Sequence, residues 1–271
     1  MHFYTETETG TIEPRHFVKM AKDPSRTRPS RITDAKKAAK NDDEIWLPSV
    51  TTILNILDKP ALLNWKVDQH LDQAYRMAKE GQSLEGYSWK QEVKARTADE
   101  MDKAPKAGTD IHKILEDYFK DGITPADPVH QKICFNVSDL LLKYTAIPSS
   151  ECMHEQYFVS GLDYAGCADL IVPGKANPEL DDRNMGFVID YKSKLTADKF
   201  KPGKMAYPEH RRQLAAYGKA ILGNDFRAVN IFICLETGDV DWYEHDAGEI
   251  EDGYQDFLDC MSIYHRNTYK P

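Results

Sequence analysis

Gly186-Phe187-Val188-Ile189-Asp190-Tyr191-Lys192 runs an apolar stretch into an aspartate, a tyrosine and a lysine. Upstream, Gly166-Cys167-Ala168-Asp169-Leu170-Ile171-Val172 sets a second aspartate within another apolar run. Both have the length and Val/Ile/Phe content of strands buried in a sheet, where a polar side chain must be solvated or paired. Side chains alternate along a strand, so Asp190 and Lys192 share a face while Tyr191 points away and leaves its backbone carbonyl free to act as a ligand. Residues 174–185 (Gly-Lys-Ala-Asn-Pro-Glu-Leu-Asp-Asp-Arg-Asn-Met) read as a loop, which makes Asp169 and Asp190 hairpin neighbours despite their separation in sequence. Two carboxylates and a lysine converging at strand ends can hold a hard cation and steady developing negative charge. The plainer reading is an Asp190–Lys192 ion pair on an exposed sheet edge.

Working outward, segments 154–160, 164–173, 186–193, 227–235 and 239–245 are strand-like, and 208–222 between the third and fourth is a helix ended by Gly223. Ile250, Tyr254, Phe257, Leu258, Met261 and Tyr264 stripe a closing helix. The order β, β, β, α, β, β predicts an α/β fold with a central mixed sheet of about five strands flanked by helices. Upstream the period is helical. A capped start lies at residues 48–54, and Pro60 opens a helix carrying Leu62, Leu63, Trp65 and Val67. A third helix covers 89–101. Residues 108–119 carry Ile111, Ile114, Leu115, Tyr118 and Phe119 on one stripe, and 129–144 repeat the pattern. Residues 1–45 are polar and basic without sustained periodicity, predicting a short ordered start, a flexible connection, and organised structure from near Trp46 to residue 271.

The chain has 271 residues, 41% hydrophobic and 29% charged, as in ordinary globular proteins. No run approaches eighteen apolar residues and no secretory signal is visible, so the expectation is a cytoplasmic protein without membrane contact. Five scattered cysteines, with no CxxC pair, read as buried thiols. The net charge of −9 excludes a protein coated in positive potential. Basic residues are nevertheless clustered: nine against two acids over residues 15–40, and eight against two over 192–219. Such tracts are most often solvated faces, but they can also guide a phosphate backbone. Within the second, Lys194 and Arg212 are candidate nucleic-acid contacts.

Further polar residues fall near the strand ends. His112 lies on the flank of its helix stripe, with Glu116 one turn on and Gly108 one turn before, where a backbone or phosphate can approach closely. Imidazole is a competent ligand for a divalent ion. Gln213 and Tyr217 share a helix face, just after Arg211 and Arg212.

Taken in order, Gly108-x-x-x-His112, Gly166 with Asp169, Asp190-x-Lys192 and Gln213-x-x-x-Tyr217 resemble the RecB-like branch of the PD-(D/E)XK nucleases. The segment 48–54 followed by Leu63-Asn64-Trp65 is similar to the start of phage-type exonucleases and of the related mitochondrial genome maintenance exonuclease. The resemblance runs from about Pro48 to Leu235. It implies a restriction-endonuclease-like core and a Mg²⁺/Mn²⁺-dependent deoxyribonuclease, an exonuclease of phage or bacterial recombination, replication or repair, in the host cytoplasm if phage-encoded. Asp169, Asp190, the Tyr191 carbonyl and His112 would ligate two ions, and Lys192 would orient the attacking water. Gln213 and Tyr217 would line the site, with Glu155 and Glu116 as accessory acids. DNA is the implied substrate, with a single-strand annealing or single-strand-binding protein as partner. The late cysteine cluster of the iron-sulfur members is missing, so no such cluster is expected. Alternatives are a structure-specific endonuclease of the same fold and an inactive nucleic-acid-binding scaffold.

Overall fold

A computed structural model describes residues 3–6, 10–18, 27–29, 33, 35–37, 45–82, 88–174 and 185–268. Five strands form the central sheet: β5 (Met153–Ser160), β6 (Tyr164–Val172), β7 (Gly186–Lys194), β8 (Phe226–Cys234) and β9 (Val240–Glu244), in spatial order β5-β6-β7-β8-β9. Every neighbouring pair is antiparallel except β7 and β8. A parallel pair needs a crossover, here the helix Pro208–Ile221 that leaves β7 and returns to β8. The chain is thus a mixed α/β fold with a five-stranded mixed sheet flanked by helices.

Both faces of the sheet are covered. On one side Val188 and Ala228 pack with Leu214, Ala215, Ala216 and Tyr217 of the crossover helix and with Phe257 and Tyr264 of the closing helix Ala247–Asn267. On the other, Phe187, Ile189, Tyr191, Val229 and Ile231 pack with Ile111 and Leu115, and with Ile133, Val137 and Leu141 of the helix Pro128–Thr145. This sandwiching explains why β7 and β8 are apolar at successive positions instead of alternating. It also makes β7 a central strand, so Asp190 and Lys192 are not on a sheet edge.

From Val50 on, the α-helices among the described residues are, in chain order, α1 (Val50–Leu54), α2 (Pro60–Lys79), α3 (Ser88–Asp121), α4 (Pro128–Thr145), α5 (Pro208–Ile221) and α6 (Ala247–Asn267). The helices expected at 89–101 and 108–119 are one. Pro105 deletes a backbone donor, yet α3 continues through it for 34 residues. Helix α2 begins at Pro60 as expected, but Leu62, Leu63, Trp65 and Val67 are exposed; periodicity shows that a stripe exists, not that something covers it.

The short ordered start is there among the described residues, and it reaches further along the chain toward Trp46 than expected. Strands β1 (Phe3–Glu6), β2 (Ile12–Val18), β3 (Thr27–Pro29) and β4 (Leu47–Pro48) form a second sheet, β3-β2-β1-β4. Phe3 is fully buried in the first of the two cores, and Tyr4 meets Tyr157 of β5 edge-on at 6.0 Å. The segment escapes a periodicity search because β1 spans four residues and its partner β4 only two, 41 positions later. Much of the flexible connection expected within residues 1–45, and residues 175–184 of the expected loop, lie outside the described residues.

Candidate active site

Strands β6 and β7 pair through Leu170↔Ile189 and then part, so Asp169 and Asp190 occupy the next rung where the ladder opens. The opening is used: Asp169 Oδ2 accepts the backbone N–H of Tyr191 at 2.7 Å. Its other oxygen lies 3.4 Å from His112 Nδ1, while His112 Nε2 sits 3.2 Å from the Tyr191 carbonyl. Helix α3 can approach β7 this closely because residue 108 is glycine; a Cβ there would stand 3.1 Å from Ser193 Oγ.

On the α5 side of β7, Asp190 is almost wholly buried and saturated with donors. Lys192 Nζ reaches Oδ2 at 2.7 Å, Gln213 Nε2 reaches Oδ1 at 3.0 Å, and Asn230 Nδ2 reaches Oδ2 at 2.8 Å. Lys192 also donates to Gln213 Oε1 at 3.2 Å, and Gln213 donates to the Tyr217 hydroxyl at 3.0 Å. Gly166 leaves room for this: a Cβ would lie 2.8 Å from Phe158 and 3.1 Å from Tyr217.

Glu155 is directly across from Asp169 in the β5–β6 register, between the pairs His154↔Leu170 and Gln156↔Ala168. Its backbone has φ of 48°, a strained conformation for glutamate that is common where function fixes geometry. Donor atoms of His112, Glu155 and Asp169 lie within 4.8 Å of one another. Ligands about 2.1 Å from one cation lie about 3 Å apart when adjacent and about 4.2 Å when opposite, so small side-chain movements suffice for them to hold a divalent ion. The Tyr191 carbonyl lies beside the other ring nitrogen, His112 Nε2. Asp190 stands outside this group.

The charges follow from the packing. Burial raises the Asp190 pKa above the usual carboxylate range, against the pull of Lys192. Asp169 is held below that range, because His112 and Lys192 outweigh its burial. Burial opposes a charged His112, but the Asp169 carboxylate prevails and lifts the imidazole to about 9. Partial burial opposes a charged Lys192, but the two aspartates it faces, Asp190 before Asp169, prevail, so its pKa is raised and it stays a cation. Burial, then Asp169, raises Glu155.

Gly108, His112, Glu116, Glu155, Asp169, Tyr191 and Lys192 all line one open cleft of about 620 Å³. Glu116 is on its wall, paired with Lys120 at 2.9 Å and Lys113 at 3.1 Å. Gln213 and Tyr217 lie behind Asp190, not on the cleft wall. Arg212 faces elsewhere, its Nε 2.9 Å from Asp256 of α6. Lys194 lies over the rings of Tyr207 and Phe232.

Two residues at the site were not foreseen. Asn230 is fully buried on β8, and its Oδ1 accepts from His245 Nε2 at 2.8 Å. The signal was present: Asn230 interrupts Val229-Asn230-Ile231-Phe232-Ile233, and a buried amide in such a run must have partners. Among the described residues, no helix is long and apolar enough to cross a membrane.

No protein-family model matches the chain, and no curated protein matches it. Among solved structures it is similar to the one described as "Crystal structure of SSO0001", at 16% identity over 46% of this chain and 55% of that chain. The TM-score is 0.24, too low to carry an argument about fold or function, and the chain spans about half the length of that structure.

Proposed function

We propose that this chain is a metal-dependent nuclease of the PD-(D/E)XK type, with a restriction-endonuclease-like core, that degrades DNA from an end. The observation that carries this reading is the convergence on one cleft of His112, Glu155, Asp169 and Tyr191 with a cationic Lys192. A purely structural ion pair explains Lys192 and Asp190, but it gives no reason to gather two further carboxylates and a histidine beside an open cleft.

A divalent cation held by this donor set would supply Lewis acidity toward water and phosphate oxygens. The side chains would do the rest. Asp169 is kept ionised by its neighbours and oriented by the Tyr191 N–H. Lys192 does not serve as a base, because its proton is held by Asp190 and Gln213; its role is to place the attacking water and offset charge on the scissile phosphate. Gln213 and Tyr217 fix Lys192 and Asp190 from behind.

The test is digestion of 5′-labelled and 3′-labelled linear DNA, single-stranded and duplex, beside closed circular DNA, with Mg²⁺ or Mn²⁺. Cleavage of linear but not circular DNA, lost with chelator and with Asp190→Ala, is the expected result. Cleaved circles mean an endonuclease. Full activity in Asp190→Ala, or no cleavage of any substrate, rejects the reading.

A further inference from the structure

Beyond the cleft, the face of β7 that carries Asp190 and Lys192 continues, two residues on, to Lys194. Its ammonium group sits 5.4 Å from the centre of the Tyr207 ring and 5.8 Å from that of Phe232. Burial and then Lys192 lower its pKa, and among the described residues no carboxylate pairs with it.

Tyr207 is 51% exposed, yet it is not loose. It caps the start of α5, its backbone N–H donates to His210 Nδ1 at 3.2 Å, and its ring meets the His210 ring edge-on at 5.4 Å. A large aromatic ring is therefore held partly open to solvent next to a cation that pairs with no carboxylate among the described residues.

The surrounding loop has the matching charge. Residues 192–204 hold five lysines and one aspartate in a chain whose net charge is −9. Lys199, Lys201 and Lys204 are exposed. The loop is also anchored: the Ala197 N–H donates to Glu236 Oε2 at 2.7 Å and the Gly203 N–H to Asp241 Oδ2 at 2.8 Å. An exposed, fixed aromatic ring beside a track of positive charge is the combination that binds a single strand, the ring stacking on a base and the lysines meeting phosphates.

We infer that Tyr207 is a stacking platform for an unpaired base of a nucleic-acid strand whose phosphates run along Lys194 and the exposed lysines of the 199–204 loop. This rests on the nuclease reading and extends it: the strand beside the cleft is single-stranded there. A duplex end would have to open before engaging the ring.

The experiment measures binding of the full chain in EDTA, where nothing is cut, to a fluorescent single-stranded oligonucleotide and to a blunt duplex of the same sequence. Tyr207→Ala is expected to weaken single-strand binding on the order of tenfold. Tyr207→Phe is expected to restore it, and Lys194→Gln to lower the salt slope by about 0.7. A 2-aminopurine base in the strand should be quenched by the wild type and by Tyr207→Phe, not by Tyr207→Ala. Unchanged affinity in Tyr207→Ala, or an equal loss on both substrates, overturns the platform and leaves the nuclease reading intact. Failure of the wild type to bind any oligonucleotide overturns both.

Discussion

The side-chain amide of Asn230 crosses from β8 to Oδ2 of Asp190 at 2.8 Å, and the two residues are register partners in the sheet's one parallel pair. His245 Nε2, 2.8 Å from the Asn230 carbonyl oxygen, settles which way the amide faces. Hydrogen bonds to a charged group contribute about 1.5–3 kcal/mol. Asn230→Leu keeps roughly the volume and removes the donor, so kcat should fall about 10- to 100-fold with KM little changed. His245→Gln, which can still donate to Asn230, should retain most of the activity. Steady-state kinetics on a labelled oligonucleotide checks this; a normal kcat in Asn230→Leu would show that the contact only fills the core.

Glu155 and Asp169 set two carboxylates opposite each other with a histidine close by, an arrangement that costs stability until a cation enters. Glu155→Gln removes one like charge. Its melting temperature in EDTA should equal or exceed that of the wild type, while its gain on adding Mn²⁺ should shrink. Calorimetric titration should show Mn²⁺ binding weakened about tenfold or more. An unaltered Mn²⁺ affinity would remove Glu155 from the donor set.

Burial depresses His154, His210 and His245 below their usual pKa, His210 to about 3. For His210, burial is reinforced by Lys192, Lys194 and His245, and its Nδ1 must stay unprotonated to accept the Tyr207 N–H. A histidine whose folded pKa lies below its unfolded one binds protons more readily when unfolded. Its contribution to stability is therefore complete above about pH 6.5 and is lost as pH falls toward the folded value, by up to ~1.4 kcal/mol per pH unit. Urea unfolding at pH 7, 6, 5 and 4 should show stability declining across this window. In His210→Asn the decline should be shallower; an identical slope would mean that His210 titrates normally in the folded chain.

Asp169, Asp190 and Lys192 were legible in the sequence because strand periodicity and the apolar runs around them fix which side chains share a face. The pairing of β6 with β7 followed from treating residues 174–185 as a loop. The pairing of β1 with β4 was not legible, since Phe3 is buried by partners far along the chain and four residues carry no period of their own. The sequence pattern likewise ends one helix at residue 101 and starts another at 108, whereas α3 runs on through Pro105, with Val93 buried on one side of it and Ile111 and Leu115 on the other. His245 had no local signal; its role exists only because β9 ends beside Asn230.

Gly166 of β6 sits under the contact between Phe158 of β5 and Tyr217 of α5. An added methyl would sit 2.8 Å from Phe158 Cζ and 3.1 Å from Tyr217, two rings that already pack 5.4 Å apart, edge to face. Neither ring can yield cheaply: Tyr217 is buried and bonded to Gln213, and Phe158 is buried against Tyr164. Gly166→Ala should therefore destabilise the fold by about 1–3 kcal/mol, as overpacking does. Moving Tyr217 also moves Gln213, which holds both Lys192 and Asp190, so activity should fall further than the folded fraction does. Phe158→Leu in the same chain opens space beside residue 166 and should recover part of both losses. Thermal melts and cleavage rates on the single and double variants measure this coupling; strictly additive losses would mean that Gly166 and Phe158 act independently.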